Sequence, residues 1–149
     1  MASRYGLEIR AATPADALGL AELLATAGAT TAPRTLPERL EALRAEPGVV
    51  LLASEWGPPS GVVAAHWRGS LLADGPTAWV TLLLVAPDDR RRGIGRLLLK
   101  AAAQAARTAG CVTLELSAAP DQTSLRAFCD ASGFNPAGVT LTRPLRKGA

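Results

Sequence analysis

Cysteine, histidine and aromatic residues are scarce in this chain. Its 149 residues include two cysteines, one histidine and 4% aromatics. Cys111 and Cys129 make no disulfide framework, and two cysteines with one histidine, His66, are too few for a zinc site, so no metal is expected. The basic residues are not interleaved with aromatics, which disfavours a nucleic-acid platform. No apolar run approaches the ~20 residues that span a bilayer, and the opening residues lack the apolar core of a signal peptide. A cytoplasmic protein with no membrane partner is therefore expected. The net charge of +3 suits an anionic ligand without arguing for nucleic acid. Hydrophobic residues make up 48% of the chain, enough for a real core, and repeats, low-complexity tracts and linkers are missing. The expectation is one domain over residues 1–149.

What the chain does have is concentrated in residues 80–117. Val80-Thr81-Leu82-Leu83-Leu84-Val85-Ala86 is a short apolar run stopped by Pro87, the pattern of a buried strand. Arg90-Arg91-Arg92-Gly93-Ile94-Gly95 follows as a loop. Ile94, Leu97, Leu98, Ala101, Ala102, Ala105 and Ala109 then recur at helical spacing, with Arg96, Lys100, Gln104 and Arg107 on the opposite face. Gly110 stops that helix, and residues 111–117 read as a second strand. Strand, helix and strand form a crossover, so the two strands should be parallel.

The loop has a physical use. A helix's first turn leaves N–H groups unpaired, and glycines let a ligand approach that backbone without a Cβ in the way. Neighbouring arginines add fixed charge and forked donors suited to phosphate oxygens. The stretch after Gly95 lacks the third glycine of a dinucleotide fingerprint, and no Walker lysine-serine pair follows.

Elsewhere, residues 7–10 alternate like a strand near the sheet edge. Thr13-Pro14-Ala15-Asp16 then offers a capping hydroxyl, a first-turn proline and an acid. The helix that follows should bury Ala17, Leu20, Ala21, Leu24 and Ala27, widened by Leu18 and Leu23, and stop at Gly28. A second helix opens at the capping-box pattern Thr35-Leu36-Pro37-Glu38. Residues 49–54 and 62–67 read as strands joined by a hairpin loop rich in glycine and proline. A last helix runs from about Asp121 or Thr123 to Ser132 and is capped by Gly133, with strands expected at 134–137 and 139–142.

R-R-R-G-I-G after Val85-Ala86-Pro87 resembles the Q/R-x-x-G-x-G/A pyrophosphate loop of the GNAT superfamily of N-acetyltransferases. The likeness extends from Ile9-Arg10 to Gly133-Phe134. It implies an α/β (α+β) GNAT fold, with a mixed central sheet of six or seven strands, about four helices, and strands 4 and 5 splayed around the cofactor. It also implies acetyl-CoA as cosubstrate and a small-molecule or peptide amine as acceptor, with a homodimer left open. By resemblance, the pantetheine arm pairs with Leu83, Leu84 and Val85, and the pyrophosphate sits on Arg90, Arg91, Arg92, Gly93, Ile94, Gly95 and Arg96. A backbone N–H near Leu84 or Val85 polarises the thioester. The region between the first two helices, residues 29–34, closes over the acceptor in that family.

On the acid–base side the chain departs from the family's pattern. Cys129 stands where a tyrosine acid is common, Leu82 where a carboxylate is frequent, and Gln122 is the nearest equivalent of an asparagine at the last helix, which by resemblance counts it among the cofactor-binding residues. Cys129 is a candidate acid or a small buried hydrophobe. Glu115, the only acid on a core strand, is a candidate base acting through water, or a solvent-facing or arginine-paired strand residue. His66, Trp67 and Trp79 suit core or pocket-wall positions. A non-catalytic acyl-CoA-binding or sensor domain is the alternative reading.

Overall fold

The computed structural model describes residues 6–29 and 34–146. The chain forms two compact units, one ending at Leu116 and the other beginning at Ser117.

The first unit is a five-stranded sheet in the order β1-β2-β3-β4-β5: Glu8–Ala11, Gly48–Ser54, Gly61–Arg68, Thr77–Val85 and Thr113–Leu116. Its first three pairings are antiparallel, and β4–β5 is parallel, as the crossover through α3 (Ile94–Thr108) requires. Helices α1 (Ala17–Ala25) and α2 (Leu36–Arg44) bury Leu20, Leu23, Leu36 and Leu40 in one cluster with Leu52 and Val62, against which Leu82 and Leu84 also pack. The other sheet face takes α3. A Cβ built on Gly61 would lie 2.9 Å from the Leu98 side chain and 3.1 Å from that of Ile94, so glycine is what lets this helix sit close to β3.

Local chemistry explains the helix ends. A 3-10 turn, Pro14–Asp16, leads into α1. Thr13 and Asp16 form a reciprocal capping box there, in which Thr13 N–H donates to Asp16 Oδ2 at 2.9 Å. Arg10 grips the same carboxylate through two nitrogens at 2.8 and 2.7 Å. Hydrogen bonding to Arg10 chiefly, with help from Thr13, lowers the Asp16 pKa to about 2. In α1, Leu18 is 71% exposed, so the apolar stripe is narrower than expected. The α3 stripe is rotated relative to expectation. Leu99 and Ala106 are buried with Ile94, Leu98 and Ala102, while Ala109 is exposed.

The second unit contains α4 (Thr123–Ala131). Phe134 N–H donates to Cys129 O at 3.0 Å and Gly133 N–H to Asp130 O at 3.4 Å, with Gly133 at φ 88°. That pair of bonds is a Schellman stop, which accounts for Gly133-Phe134 in backbone terms. Beyond it, residues 135–144 form no strand, so the described sheet has five strands where six or seven were expected. Pro136 offers no N–H, Gly138 at φ 155° interrupts the run, and no backbone ladder involves residues 135–146. The acceptor-closing segment proposed at 29–34 has residues 30–33 outside the described residues.

Candidate active site

Two features of the first unit converge at the carboxyl end of β4. One is an irregular strand. Ala64 pairs with Leu82 and Ala65 with Val80, which leaves Thr81 as an extra residue on β4. Such a bulge bends a strand and increases its twist. The β5 ladder stops at the same point, its last pair being Val80 with Leu116. Beyond it, residues 81–85 of β4 have no strand on that side among the described residues.

The backbone orientation of that open stretch follows from one bond. Ala86 N–H donates to Ser60 O at 2.8 Å, so Ala86 turns toward β3. Polar backbone groups alternate along a strand, so Leu84 turns toward β3 as well, and Leu83 and Val85 turn to the opposite, open side. Of the two residues considered as thioester-polarising donors, only Val85 therefore presents its N–H to the open edge. Its carbonyl accepts from Arg90 Nε at 3.4 Å, a long contact.

The second feature is the start of α3. Gly93 caps the helix at φ 79°, and Arg91 is also left-handed at φ 67°. Leu97 N–H donates to Gly93 O at 3.1 Å, which is the first bond of the helix. The backbone N–H groups of residues 90–96 meet no protein acceptor among the described residues. A Cβ built on Gly93 would meet nothing within 4 Å, so the glycine faces open space. Seven free donors beside an open glycine at a helix N-terminus fit an anion.

The four loop arginines divide into two kinds. Arg90, Arg91 and Arg96 are exposed and take part in no ion pair among the described residues. Arg92 is fully engaged: one terminal nitrogen is 2.9 Å from Asp89 Oδ1 and the other 2.5 Å from Glu55 Oε1. Hydrogen bonds that Arg92 donates to Glu55 first, and to Asp89 second, raise the Arg92 pKa above its ordinary value.

The candidate acid–base residues are placed less suggestively. Glu115 is exposed on β5, in register with Trp79 of β4. Trp79 is also in register with His66 and carries the Arg68 guanidinium 5.3 Å from its ring centroid. Trp79, His66, Arg68 and Glu115 thus share one sheet face by register, with the His66 Nδ1 buried and unpartnered. That grouping was not anticipated, and neither was the bulge. Leu82 packs into the apolar cluster under α1 and α2. In the second unit Cys129 is the buried residue of α4, and burial, then the Asp130 charge, push its thiol pKa up. The Gln122 side-chain carbonyl accepts from Ala119 N–H at 2.8 Å, so it orders its own loop.

The fold is similar to that of several solved proteins. A putative acetyltransferase from Agrobacterium tumefaciens superposes with a TM-score of 0.80 at 25% identity, over 91% of this chain and 99% of its own. The aminoglycoside N-acetyltransferase AAC(6')-Iy, solved in complex with CoA, superposes with a TM-score of 0.83 at 18% identity, over 98% of this chain and 99% of its own. Glucosamine-6-phosphate N-acetyltransferase from Arabidopsis thaliana gives 0.78 at 17% identity, over 94% and 99%. At these lower identities the likeness speaks to the fold. A search of curated proteins finds no match. The Acetyltransferase (GNAT) family model matches residues 19–134, which takes in β4, the arginine-glycine loop, α3 and α4, and the chain belongs to that family.

Proposed function

We propose that residues 1–149 act as a single acetyl-CoA-dependent N-acetyltransferase domain that moves an acetyl group to a primary amine of a small molecule or peptide. The observation that carries this reading is the pairing of a strand edge open at Leu83 and Val85 with free N–H groups over residues 90–96. An extended amide-bearing arm can add to the edge as a strand would. The loop donors, with Arg90, Arg91 and Arg96, would hold the pyrophosphate, and Gly93 and Gly95 keep the approach clear. Val85 N–H would polarise the thioester carbonyl, which the bound cosubstrate supplies as the acyl donor.

Direct attack by an amine needs the amine deprotonated. Glu115 is the acid beside Trp79, and its role in this reading is to accept that proton through water. The departing coenzyme A thiol has a pKa of about 8.5, so its thiolate leaves without strict need of an acid. A missing general acid then loses about 100-fold, the low end of the 10²–10⁴-fold range of one proton-transfer contribution. Burial raises the Cys129 thiol pKa, which makes it a reluctant donor to a thiolate of ordinary basicity.

The second reading, a non-catalytic or impaired acyl-CoA-binding domain, is favoured by one observation. Leu82, where a carboxylate would assist, instead fills the apolar cluster. Calorimetric titration with acetyl-CoA, ATP and NAD, followed by an amine-library assay of thiol release, separates the readings. Binding of acetyl-CoA with turnover of an amine supports the enzyme, binding without turnover supports the sensor, and no binding of acetyl-CoA refutes both.

A further inference from the structure

Resting on the coenzyme A reading above, the side-chain pairs of the loop carry one step more. Arg92 lies between the two left-handed residues Arg91 and Gly93, a conformation that costs a non-glycine residue roughly 1–2 kcal/mol. Both of its terminal nitrogens are spent on carboxylates, Asp89 within the loop and Glu55 from the connection after β2. The Glu55 side chain is 16% exposed and that of Arg92 42%, so the pair is half open to water and its use lies in geometry more than in stability. The same connection also holds the loop's other flank, because Ala86 N–H donates to Ser60 O at 2.8 Å. It is itself stiff: Pro58 and Pro59 interrupt it, and a Cβ built on Gly19 of α1 would lie 2.7 Å from the Pro59 ring. The loop is therefore tied at both ends to one rigid bracket, residues 55–60.

We infer that Glu55 is a positioning residue for cofactor binding: with Asp89 it clamps Arg92, holding the loop in its anion-ready shape before the ligand arrives. The Arg92 side chain is thereby a strut, and Arg90, Arg91 and Arg96 are the arginines left for phosphate. Two carboxylates on one guanidinium leave net negative charge beside an anion site. Electrostatics alone would make that charge a handicap, so a compensating use in holding shape is what the geometry points to.

That sign difference makes the test sharp. Glu55→Ala removes a negative charge, so a purely electrostatic role predicts tighter coenzyme A binding, whereas a positioning role predicts weaker binding. The expected result is a Kd for coenzyme A raised about tenfold, or ~1.4 kcal/mol. Pantetheine, which lacks the pyrophosphate, should bind as before. Hydrogen exchange of residues 88–96 in the free protein should also speed up. Glu55→Gln, which keeps an acceptor, should lose less and serves if the alanine variant does not fold. Arg92→Ala should lose about as much as Glu55→Ala, and the double variant little more. Unchanged or tighter coenzyme A binding, equal losses for coenzyme A and pantetheine, or a far larger loss for Arg92→Ala would each overturn the inference. If the wild-type chain binds no coenzyme A, the functional reading itself fails.

Discussion

Two left-handed glycines, Gly93 at φ 79° and Gly133 at φ 88°, mark opposite ends of different helices, and they lead to opposite outcomes for the backbone. At Gly133 its own N–H and that of Phe134 are consumed, closing α4 through bonds to Asp130 and Cys129. At Gly93 the corresponding groups are left free, facing open space at the start of α3. A glycine in the same conformation can thus finish a helix or offer one to a ligand. What decides is whether the next donors still have carbonyls behind them.

The largest expected effect comes from placing a β-branched side chain at each. Gly93→Val puts a Cβ into the anion approach and strains the loop, so coenzyme A affinity should fall by about 100-fold or more while the protein still melts cooperatively. Gly133→Val carries the same backbone strain, roughly 1–2 kcal/mol, and should appear in the melting temperature while the coenzyme A Kd of the folded protein stays put. Equal losses of affinity in the two variants would erase the distinction.

Stability should depend on a third place, the Arg10–Asp16 pair. The Asp16 pKa is lowered from 3.8 to about 2, so its contribution is fully present above pH 3.8 and is lost as pH falls through about 2. Its side chain is 14% exposed, and the shift corresponds to about 2 kcal/mol at most. Asp16→Asn should lose up to that amount at pH 7 and show a flatter acid limb in pH-dependent unfolding. An unchanged acid limb would remove the pair from the account.

A smaller effect is expected on the α4 side. Cys129→Ala should keep coenzyme A affinity and lose at most about tenfold in rate, short of a full acid–base contribution. A completely inactive variant that still binds would make the thiol essential. Smaller still is the salt effect: coenzyme A affinity should weaken several-fold between about 0.05 and 0.5 M salt, because screening shortens the reach of exposed charges. A Kd indifferent to salt would mean that Arg90, Arg91 and Arg96 merely face water.

Legibility in the sequence followed the range of the interactions. The β4–loop–α3–β5 unit could be read because strand period, glycine placement and helical spacing are local. The start of β4 at Thr77, three residues before the apolar run, could not, because ladder pairing with Arg68 and Thr113 extends it. The bulge falls at Thr81, a hydroxyl residue in an otherwise apolar run, and the residue type alone does not show that it is an extra residue on the strand. Arg92 reads as one of three equivalent arginines until Glu55, 37 residues away, is brought to it. Strands were expected at 134–137 and 139–142, but a strand needs a partner, and Pro136 and Gly138 work against one.

The central claim is that the backbone of residues 83–96 receives coenzyme A, and hydrogen exchange tests it most directly. With saturating coenzyme A, peptides covering Leu83, Val85 and residues 90–96 should exchange more slowly. Peptides over the Gly133 stop, whose donors are already bonded, should change little. Saturation without protection at residues 90–96, or protection confined to the second unit, would contradict the account.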